Sequence, residues 1–185
     1  NIVFIEPTIE MTKQNYYTGI VAGMTMKSTF DNIHIFNPLI IGNNNTNTIG
    51  GMIGEACYYT SISRCSVNDI IIDAADATYI GGIAGDTRTS TTIMGCYVGD
   101  THKNISQIVG LSDIGGVVGM TGSDCEVKNC NVSVNIIGQY NIGGIVGNSS
   151  SRGLIQNNIV RGMLTSNAKN GVANIGGICG YLEGD

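Results

Sequence analysis

The sequence of 185 residues contains no tryptophan and only two prolines, and charged residues make up just 12% of it. This charge content is about half of the usual share for a soluble domain. The formal net charge is −5 and no cluster of Lys or Arg occurs, which disfavours binding to nucleic-acid phosphates or to an anionic membrane surface. No apolar run approaches the roughly 20 residues that a membrane helix needs. We therefore expect no nucleic-acid partner and no membrane insertion of this segment.

Glycine and asparagine are abundant instead. The chain has 27 Gly and twenty Asn, and hydrophobic residues make up 42%, which is enough to bury a sizeable core. A disordered Gly-rich linker would not carry so many Ile and Val residues. This composition favours many short strands that are joined by tight turns, and we expect an all-β protein.

One six-residue glycine phrase recurs along the chain, at residues 18–23, 49–54, 80–85, 114–119, 142–147 and 175–180. Five copies have the form Ile-Gly-Gly-x-x-Gly, and the first is degraded because Ile20 replaces the second glycine. The first glycine of each copy lies at position 19, 50, 81, 115, 143 and 176, which gives spacings of 31, 31, 34, 28 and 33 residues. Such a period identifies a tandem repeat.

A second phrase lies between the glycine phrases and starts, for example, at Ile62 and Ile93. A third apolar stretch follows it, and residues 132–136 alternate between apolar and polar with the period of two that is typical of strands. Each unit therefore holds three strand-like stretches. The fourth position of the second phrase is occupied, from the first repeat to the fifth, by Asn32, Cys65, Cys96, Cys130 and Asn158.

Three strands in a unit of about 31 residues correspond to one coil of a parallel β-helix. We predict one β-solenoid domain over residues 1–185, a single-stranded right-handed parallel β-helix of about six coils. Coils stack about 4.8 Å apart, so that equivalent residues form ladders. Differences in unit length are expected in the turns, and the long linkers 42–48 and 87–92 are expected to project from one face.

The repeated glycines are the predicted structural residues of each coil. The fourth position of the phrase is always apolar, so strict alternation would place apolar residues on both faces of a strand. Either the chain bends at Gly-Gly and both sets point inward, or something covers a second apolar face; we expect the bend, which glycine permits. These glycines are Gly50, Gly51, Gly54, Gly81, Gly82, Gly85, Gly115, Gly116, Gly119, Gly143, Gly144, Gly147, Gly176, Gly177 and Gly180.

The glycine phrases resemble the GLUG-motif repeats of large bacterial and protist surface or secreted proteins. The resemblance extends from Gly19 to Gly180, with Ile, Val or Met in place of the Leu that gives the motif its name, as in Gly144-Ile145-Val146-Gly147. Proteins with such repeats include adhesins and immunoglobulin-cleaving metalloproteases, whose repeats lie in non-catalytic parts. The resemblance implies a stalk or display role and assigns no catalytic residue to this chain.

The six cysteines form neither a C-x-x-C pair nor a Cys-His pattern of zinc-site spacing. Cys65, Cys96 and Cys130 share one repeat position and are expected to stack in successive coils as small buried hydrophobes. A disulfide within this ladder is the alternative, because the coil step lies within disulfide range, although parallel side chains suit packed thiols better. Cys57 and Cys125 lie at other phases and suggest no pairing.

The acidic residues Glu55 and Asp86 each follow the last glycine of their phrase, one coil apart. Stacking would bring these carboxylates together, as a calcium site or an acid/base pair requires, so they are our candidates for ion binding. Solvated turn carboxylates are the expected alternative there. The same two alternatives apply to a second group, Asp69, Asp73 and Asp76.

The remaining polar candidates carry less information. His34 and His102 lie at unrelated repeat phases, no H-E-x-x-H occurs, and both are expected on the surface or in turns. Asn32 and Asn158 are expected to face inward, where an amide without partners costs about 1–3 kcal/mol. Sequons for N-glycosylation, which composition alone explains in so Asn-rich a chain, occur at Asn44, Asn104, Asn131 and Asn148.

These patterns predict no enzyme activity, no cofactor and no catalytic residue. We expect a non-catalytic structural or adhesive module of a cell-surface or extracellular protein, with proteins or glycans at a cell surface as possible partners. The alternative is a non-catalytic repeat region of a large secreted protease or carbohydrate-active enzyme. The chain begins at Asn1 without a signal peptide and stops soon after a repeat signature, so we expect a fragment that adjoins further repeats or other domains.

Overall fold

Short strands dominate the computed structural model, which describes residues 1–12, 15–43, 46–101, 106–150, 152–169 and 171–183. Within these ranges the chain forms 29 strands and no helix. The strands follow one another in circuits of five.

The first two circuits contain β1 (Ile2–Ile5), β2 (Thr8–Glu10), β3 (Asn15–Thr18), β4 (Ala22–Met26), β5 (Thr29–Asp31), β6 (Ile33–Phe36), β7 (Leu39–Ile41), β8 (Thr46–Gly50), β9 (Ile53–Cys57) and β10 (Ser61–Ser63). The next two contain β11 (Ser66–Asn68), β12 (Ile71–Asp73), β13 (Tyr79–Gly81), β14 (Ala84–Thr87), β15 (Thr92–Met94), β16 (Tyr97–Gly99), β17 (Gln107–Val109), β18 (Ser112–Gly115), β19 (Val118–Thr121) and β20 (Glu126–Lys128). The last contain β21 (Asn131–Ser133), β22 (Asn135–Gly138), β23 (Tyr140–Gly143), β24 (Val146–Ser149), β25 (Leu154–Gln156), β26 (Ile159–Arg161), β27 (Leu164–Ser166), β28 (Ile175–Gly176) and β29 (Cys179–Leu182).

Each strand pairs in parallel with its equivalent in the neighbouring circuits. Five parallel sheets result, which we name A to E after the first to fifth strand of a circuit: sheet A runs β1-β6-β11-β16-β21-β26, and sheet E runs β5-β10-β15-β20-β25. Sheets A to D have six strands and sheet E has five. The registers follow the repeat, as in Ile2 paired with Ile33 and Ile62 paired with Ile93.

The prediction of a parallel β-helix is confirmed, but the prediction of three strands in each unit is wrong. The glycine phrase contains the corner between sheets C and D, and the second phrase contains the corner between sheets E and A. One left-handed residue, such as Arg64 with φ of 52°, makes the second corner and leaves the apolar pattern uninterrupted. Only the third stretch, in sheet B, is a single strand. The right hand of the coil remains a prediction.

The bend at Gly-Gly is confirmed. In the circuit of residues 49–54, Ile49, Met52 and Ile53 are all fully buried, so the residues on both sides of the bend point inward. The second glycine allows this corner to reach across the interior: a Cβ on Gly82 would lie 2.4 Å from Val98 Cγ1 of sheet A. The C–D corner is therefore an inward fold of the wall of the solenoid.

The third glycine brings the outer sides of sheets C and D together in this fold. A Cβ on Gly147 would lie 2.3 Å from the backbone N of Ile114, which is in sheet C one circuit earlier. A Cβ on Gly119 would likewise lie 2.4 Å from the backbone N of Ile80. No side chain fits at such distances from backbone atoms. The third glycine is thus required by close backbone approach.

The ladder position of Asn32 was predicted wrongly. The structure pairs Phe30 with Ile62 and His34 with Ser66, so Ile33, and not Asn32, lies in register with Cys65. Asn32 instead occupies the left-handed corner between sheets E and A. The same corner holds, with φ between 52° and 63°, Asn32, Arg64, Gly95, Asn129 and Asn157. Asn tolerates this conformation better than most residues, which explains part of its abundance.

The two long linkers do not project from one face as predicted. Residues 88–91 connect sheet D to sheet E, whereas residues 42–43 belong to the connection from sheet B to sheet C, whose residues 44–45 lie outside the described ranges. The prediction failed because the two linkers lie at different corners of the circuit.

Candidate functional site

The predicted carboxylate pair is brought together by the stacking of circuits. Glu55 in β9 and Asp86 in β14 are register partners in sheet D, and each is only 3% exposed. Their ladder contains the equivalents Met24, Met120, Asn148 and Tyr181, as the repeat alignment predicts. Two neighbouring buried carboxylates repel each other unless a positive charge or a proton lies between them.

Arg88 supplies a positive charge to both carboxylates. Its Nε lies 3.0 Å from Glu55 Oε1 and 3.0 Å from Asp86 Oδ2, while its side chain remains 54% exposed. One guanidinium thus neutralises one of the two negative charges and bridges neighbouring circuits. Sequence reasoning missed Arg88. Its position two residues after Asp86 was a usable signal, because residues i and i+2 along a strand direction point to the same face.

A thiol and a phenol complete the surroundings of Glu55. The Cys57 Sγ donates a hydrogen bond to Glu55 Oε1 at 2.9 Å, and burial, with that carboxylate nearby, raises the pKa of Cys57 to about 12. A hydrogen bond from the Tyr17 hydroxyl in β3 to the Glu55 carboxylate is the main cause that raises the pKa of Tyr17. No hydrogen bond of normal geometry reaches Glu55 Oε2, which is buried and unpaired. For Asp86, burial is the main cause that raises the pKa to about 6.

The cluster does not have the composition of a metal centre. Among the residues that the structure describes, no three His, Cys, Asp or Glu side chains converge as a metal ion requires. The cation that contacts both Glu55 and Asp86 is the guanidinium of Arg88. Burial of both carboxylates also keeps a polymeric substrate away from them. Chemically, the cluster can hold charge and exchange a proton.

The three predicted cysteines stack inside the core. Cys65, Cys96 and Cys130 are at most 2% exposed, occupy equivalent register positions, and are free thiols. Contact with Cys130 and Cys65, together with burial, raises the pKa of the central Cys96 well above its usual range. Each thiol donates to the carbonyl two residues earlier, as Cys65 Sγ does to Ser63 O at 3.1 Å. The ladder is a packed column of buried free thiols, and hydrogen bonds with Cys96 lower the pKa values of Cys65 and Cys130.

Asn158 continues this ladder with both of its amide atoms paired. Its Oδ1 accepts a hydrogen bond from Cys130 N at 2.8 Å, and its Nδ2 donates to Val127 O at 2.9 Å. The amide therefore links the fifth circuit to the one before it and avoids the cost of an unpaired buried group.

The second acidic group behaves differently from the first. Asp69 is buried and accepts hydrogen bonds from Thr101, whereas Asp73 and Asp76 are exposed. His34 is half-buried between Ser66 Oγ and Asn32 Oδ1, at 2.9 and 3.0 Å. His102 lies outside the described residues.

Two of the four sequons can be placed. Asn131 lies in β21, where its Oδ1 accepts a hydrogen bond from Arg161. Asn148 lies in β24, and its Nδ2, the atom that glycosylation would modify, donates to Asp113 Oδ1 at 3.1 Å. Asn44 and Asn104 lie outside the described residues.

An open cleft of about 300 Å³ lies at the corner between sheets A and B, and no sequence pattern indicated it. It carries a carboxylate at one side and a guanidinium at another. Its lining residues are Asp100, Ser133, Val134, Asn135, Arg161 and Gly162.

Comparisons with known proteins add nothing to what the geometry of the chain shows about its architecture. No family model matches this chain, and neither a curated protein nor a solved structure does so. Within the described ranges, no helix is long and apolar enough to cross a membrane.

Proposed function

We propose that this chain is a non-catalytic structural and adhesive module, a stiff spacer that displays its outer ladders at a cell surface or in the extracellular space. The observation that carries the proposal is the unbroken register of all five sheets, in which every circuit lies in line with the next. Each added repeat lengthens such a stack by about 4.8 Å without a flexible joint. A GLUG-type identity of the repeats accords with this role and belongs to the same proposal.

The outer faces supply chemistry for contacts with proteins or glycans. Along sheet A, register partners on the outer side include His34, Ser66, Tyr97 and Asn131. Hydroxyl, imidazole and amide groups of this kind bind sugars and polar peptide surfaces through hydrogen bonds. Their repetition at the coil spacing offers a partner several weak contacts at once, and these add up in avidity.

The spacer role is tested by deleting one circuit. Removal of residues 97–130 joins Cys96 to Asn131, the register partner of Tyr97, and leaves the Glu55, Asp86 and Arg88 cluster intact. We expect a folded protein whose maximum dimension, measured by small-angle X-ray scattering, is shorter by about 4.8 Å. Deletion of residues 97–113 is the control, because it puts a sheet C strand where sheet A belongs and should prevent folding. A folded one-circuit deletion of unchanged length would contradict the spacer role.

The adhesive role is tested with the full 185-residue chain on a surface. We expect retention of intact cells or saturable binding to an array of cell-surface glycans. Turnover of a polysaccharide that is lost on Asp86→Ala would instead support a carbohydrate-active enzyme. The Glu55–Asp86 pair suggests that function, and the burial of both carboxylates argues against it. If the chain shows neither binding nor turnover, the adhesive role is contradicted and the spacer role remains.

A further inference from the structure

The cluster at Glu55 contains one positive charge fewer than it has carboxylates. Glu55 and Asp86 stack directly on each other, and Arg88 is the cation that contacts both. Both carboxyl groups are removed from solvent. Two ionised carboxylates in such a place would leave a net charge of −1 in an environment that stabilises charge poorly.

An unpaired oxygen points to what is missing. Glu55 Oε2 is buried and has no hydrogen-bond partner of normal geometry, although nearly all buried polar atoms in proteins have one; the Tyr17 hydroxyl, which hydrogen-bonds to the Glu55 carboxylate, does not supply it. Its neighbour Oε1 receives the Cys57 thiol and Arg88. A carboxyl group that gains a proton becomes a hydrogen-bond donor, and the carboxyl stacked on Glu55 is that of Asp86.

We propose that the stacked carboxyl groups of Glu55 and Asp86 form a proton-binding site, in which the folded chain holds a proton on Asp86, beside the Glu55 carboxylate of the neighbouring circuit, under mildly acidic conditions. The proton makes Asp86 a hydrogen-bond donor next to Glu55 and leaves the one remaining negative charge to Arg88. The site thereby fastens the second circuit to the third and releases that contact when the proton leaves.

The groups that surround Asp86 set the pH at which this happens. Burial and the neighbouring Glu55 raise the pKa of Asp86, Arg88 lowers it, and the net result is a pKa of about 6. Tyr17 on β3, Tyr79 on β13 and Cys125, which precedes β20, all have raised pKa values, and that of Cys57 on β9 is about 12. These groups stay neutral between pH 5 and 8, so Asp86 is the member of the cluster whose raised pKa falls in this range.

The sign of the pH effect follows from the direction of the shift. The pKa of Asp86 is higher in the folded chain than the usual value near 3.8, so folding takes up a proton. The stability that this proton contributes is complete below pH 4 and is lost as pH rises through about 6. Asp31 has the opposite effect, because hydrogen bonds from Ser63 and Arg64 lower its pKa. The stability that ionised Asp31 contributes is present at neutral pH and is lost only in stronger acid.

Carboxyl carbon NMR of the unmodified protein tests the site directly. We expect one Asp or Glu resonance to titrate with a midpoint between pH 5 and 7, to disappear in Asp86→Asn, and to shift its midpoint upward in Arg88→Gln. The proposal is overturned if every carboxyl resonance of the folded chain titrates below about pH 5, as exposed carboxylates do.

Thermal unfolding between pH 5 and 8 gives the second readout. The unfolding temperature of the unmodified chain should fall as pH rises, and Asp86→Asn should flatten this dependence. Asp73→Asn removes an exposed carboxylate of sheet B, away from the cluster, and should retain the full dependence, which makes it the matched control. An unchanged slope in a folded Asp86→Asn protein would overturn the proposal; if that variant does not fold, the NMR titration of the unmodified chain still decides.

Discussion

At the scale of single residues, the repeated glycines are required for two different physical reasons. Gly95 has a φ of 63° and open space around it, so its backbone conformation is what favours glycine. Gly147 has no unusual φ, but a Cβ there would lie 2.3 Å from Ile114 N and 2.4 Å from the carbonyl carbon of Asp113. A residue in the left-handed conformation can carry a side chain at a modest cost in stability. Where two backbones are in contact, there is no room for a side chain between them.

This difference predicts unequal effects of the same substitution. Gly147→Ala should lower the free energy of unfolding by about 3 kcal/mol or more, because neither backbone strand can move without breaking its ladder. Gly95→Ala, the matched control, should cost about 1–2 kcal/mol, the strain of a left-handed alanine. Urea denaturation of both variants measures the two values. Equal losses would show that sheets C and D do not meet closely at the inward fold.

At the scale of strands and ladders, the apolar pattern located all three stretches of each unit but not all of its corners. The phrase from Ile62 to Val67 reads as one strand, yet it contains β10 and β11, because the single left-handed residue Arg64 turns the chain between them. Such a corner inserts no turn cluster that a reader of the sequence would notice. The same single-residue corner caused the one-residue error at Asn32.

The candidate site was predictable only in part for a related reason. Stacking of Glu55 on Asp86 follows from the repeat period alone. The contact of Tyr17 with Glu55 depends on the inward fold at the third glycine, which brings sheet C of one circuit against sheet D of the next. Repeat alignment assigns residues to ladders, but it contains no information about which sheets meet across a corner.

The ladder that ends at Asn158 gives a prediction at this scale. Asn158→Ala removes the acceptor of Cys130 N and should lower the free energy of unfolding by about 1–3 kcal/mol, because a buried donor is left unpaired. Asn157→Ala at the adjacent exposed corner is the control; it loses only the tolerance of Asn for a left-handed φ of 55° and should cost about 1 kcal/mol. Chemical denaturation compares the two. A larger loss at Asn157 would contradict the role of the amide.

At the scale of the whole molecule, each circuit is stabilised almost entirely by the circuits above and below it. Repeat stacks of this kind behave as one-dimensional arrays, in which a unit with two neighbours is more stable than a unit with one. The exposure of equivalent residues shows the difference: Ile142 and Ile145 are fully buried in the fifth circuit, whereas Ile175 and Ile178 are 47% and 43% exposed in the sixth.

Hydrogen exchange should reproduce this gradient along the chain. We expect the slowest amide exchange between Ile114 and Gly147, and faster exchange after Gly171, because strands β28 and β29 pair on one side only. The measurement is mass spectrometry of exchanged peptides at two protein concentrations. Free strand edges can also pair with another copy of the chain, so protection after Gly171 that rises with concentration would indicate end-to-end association through these edges. Uniform protection as far as residue 183 in a sample that light scattering shows to be monomeric would contradict the one-dimensional picture, because the last circuit would then be stable without its second neighbour.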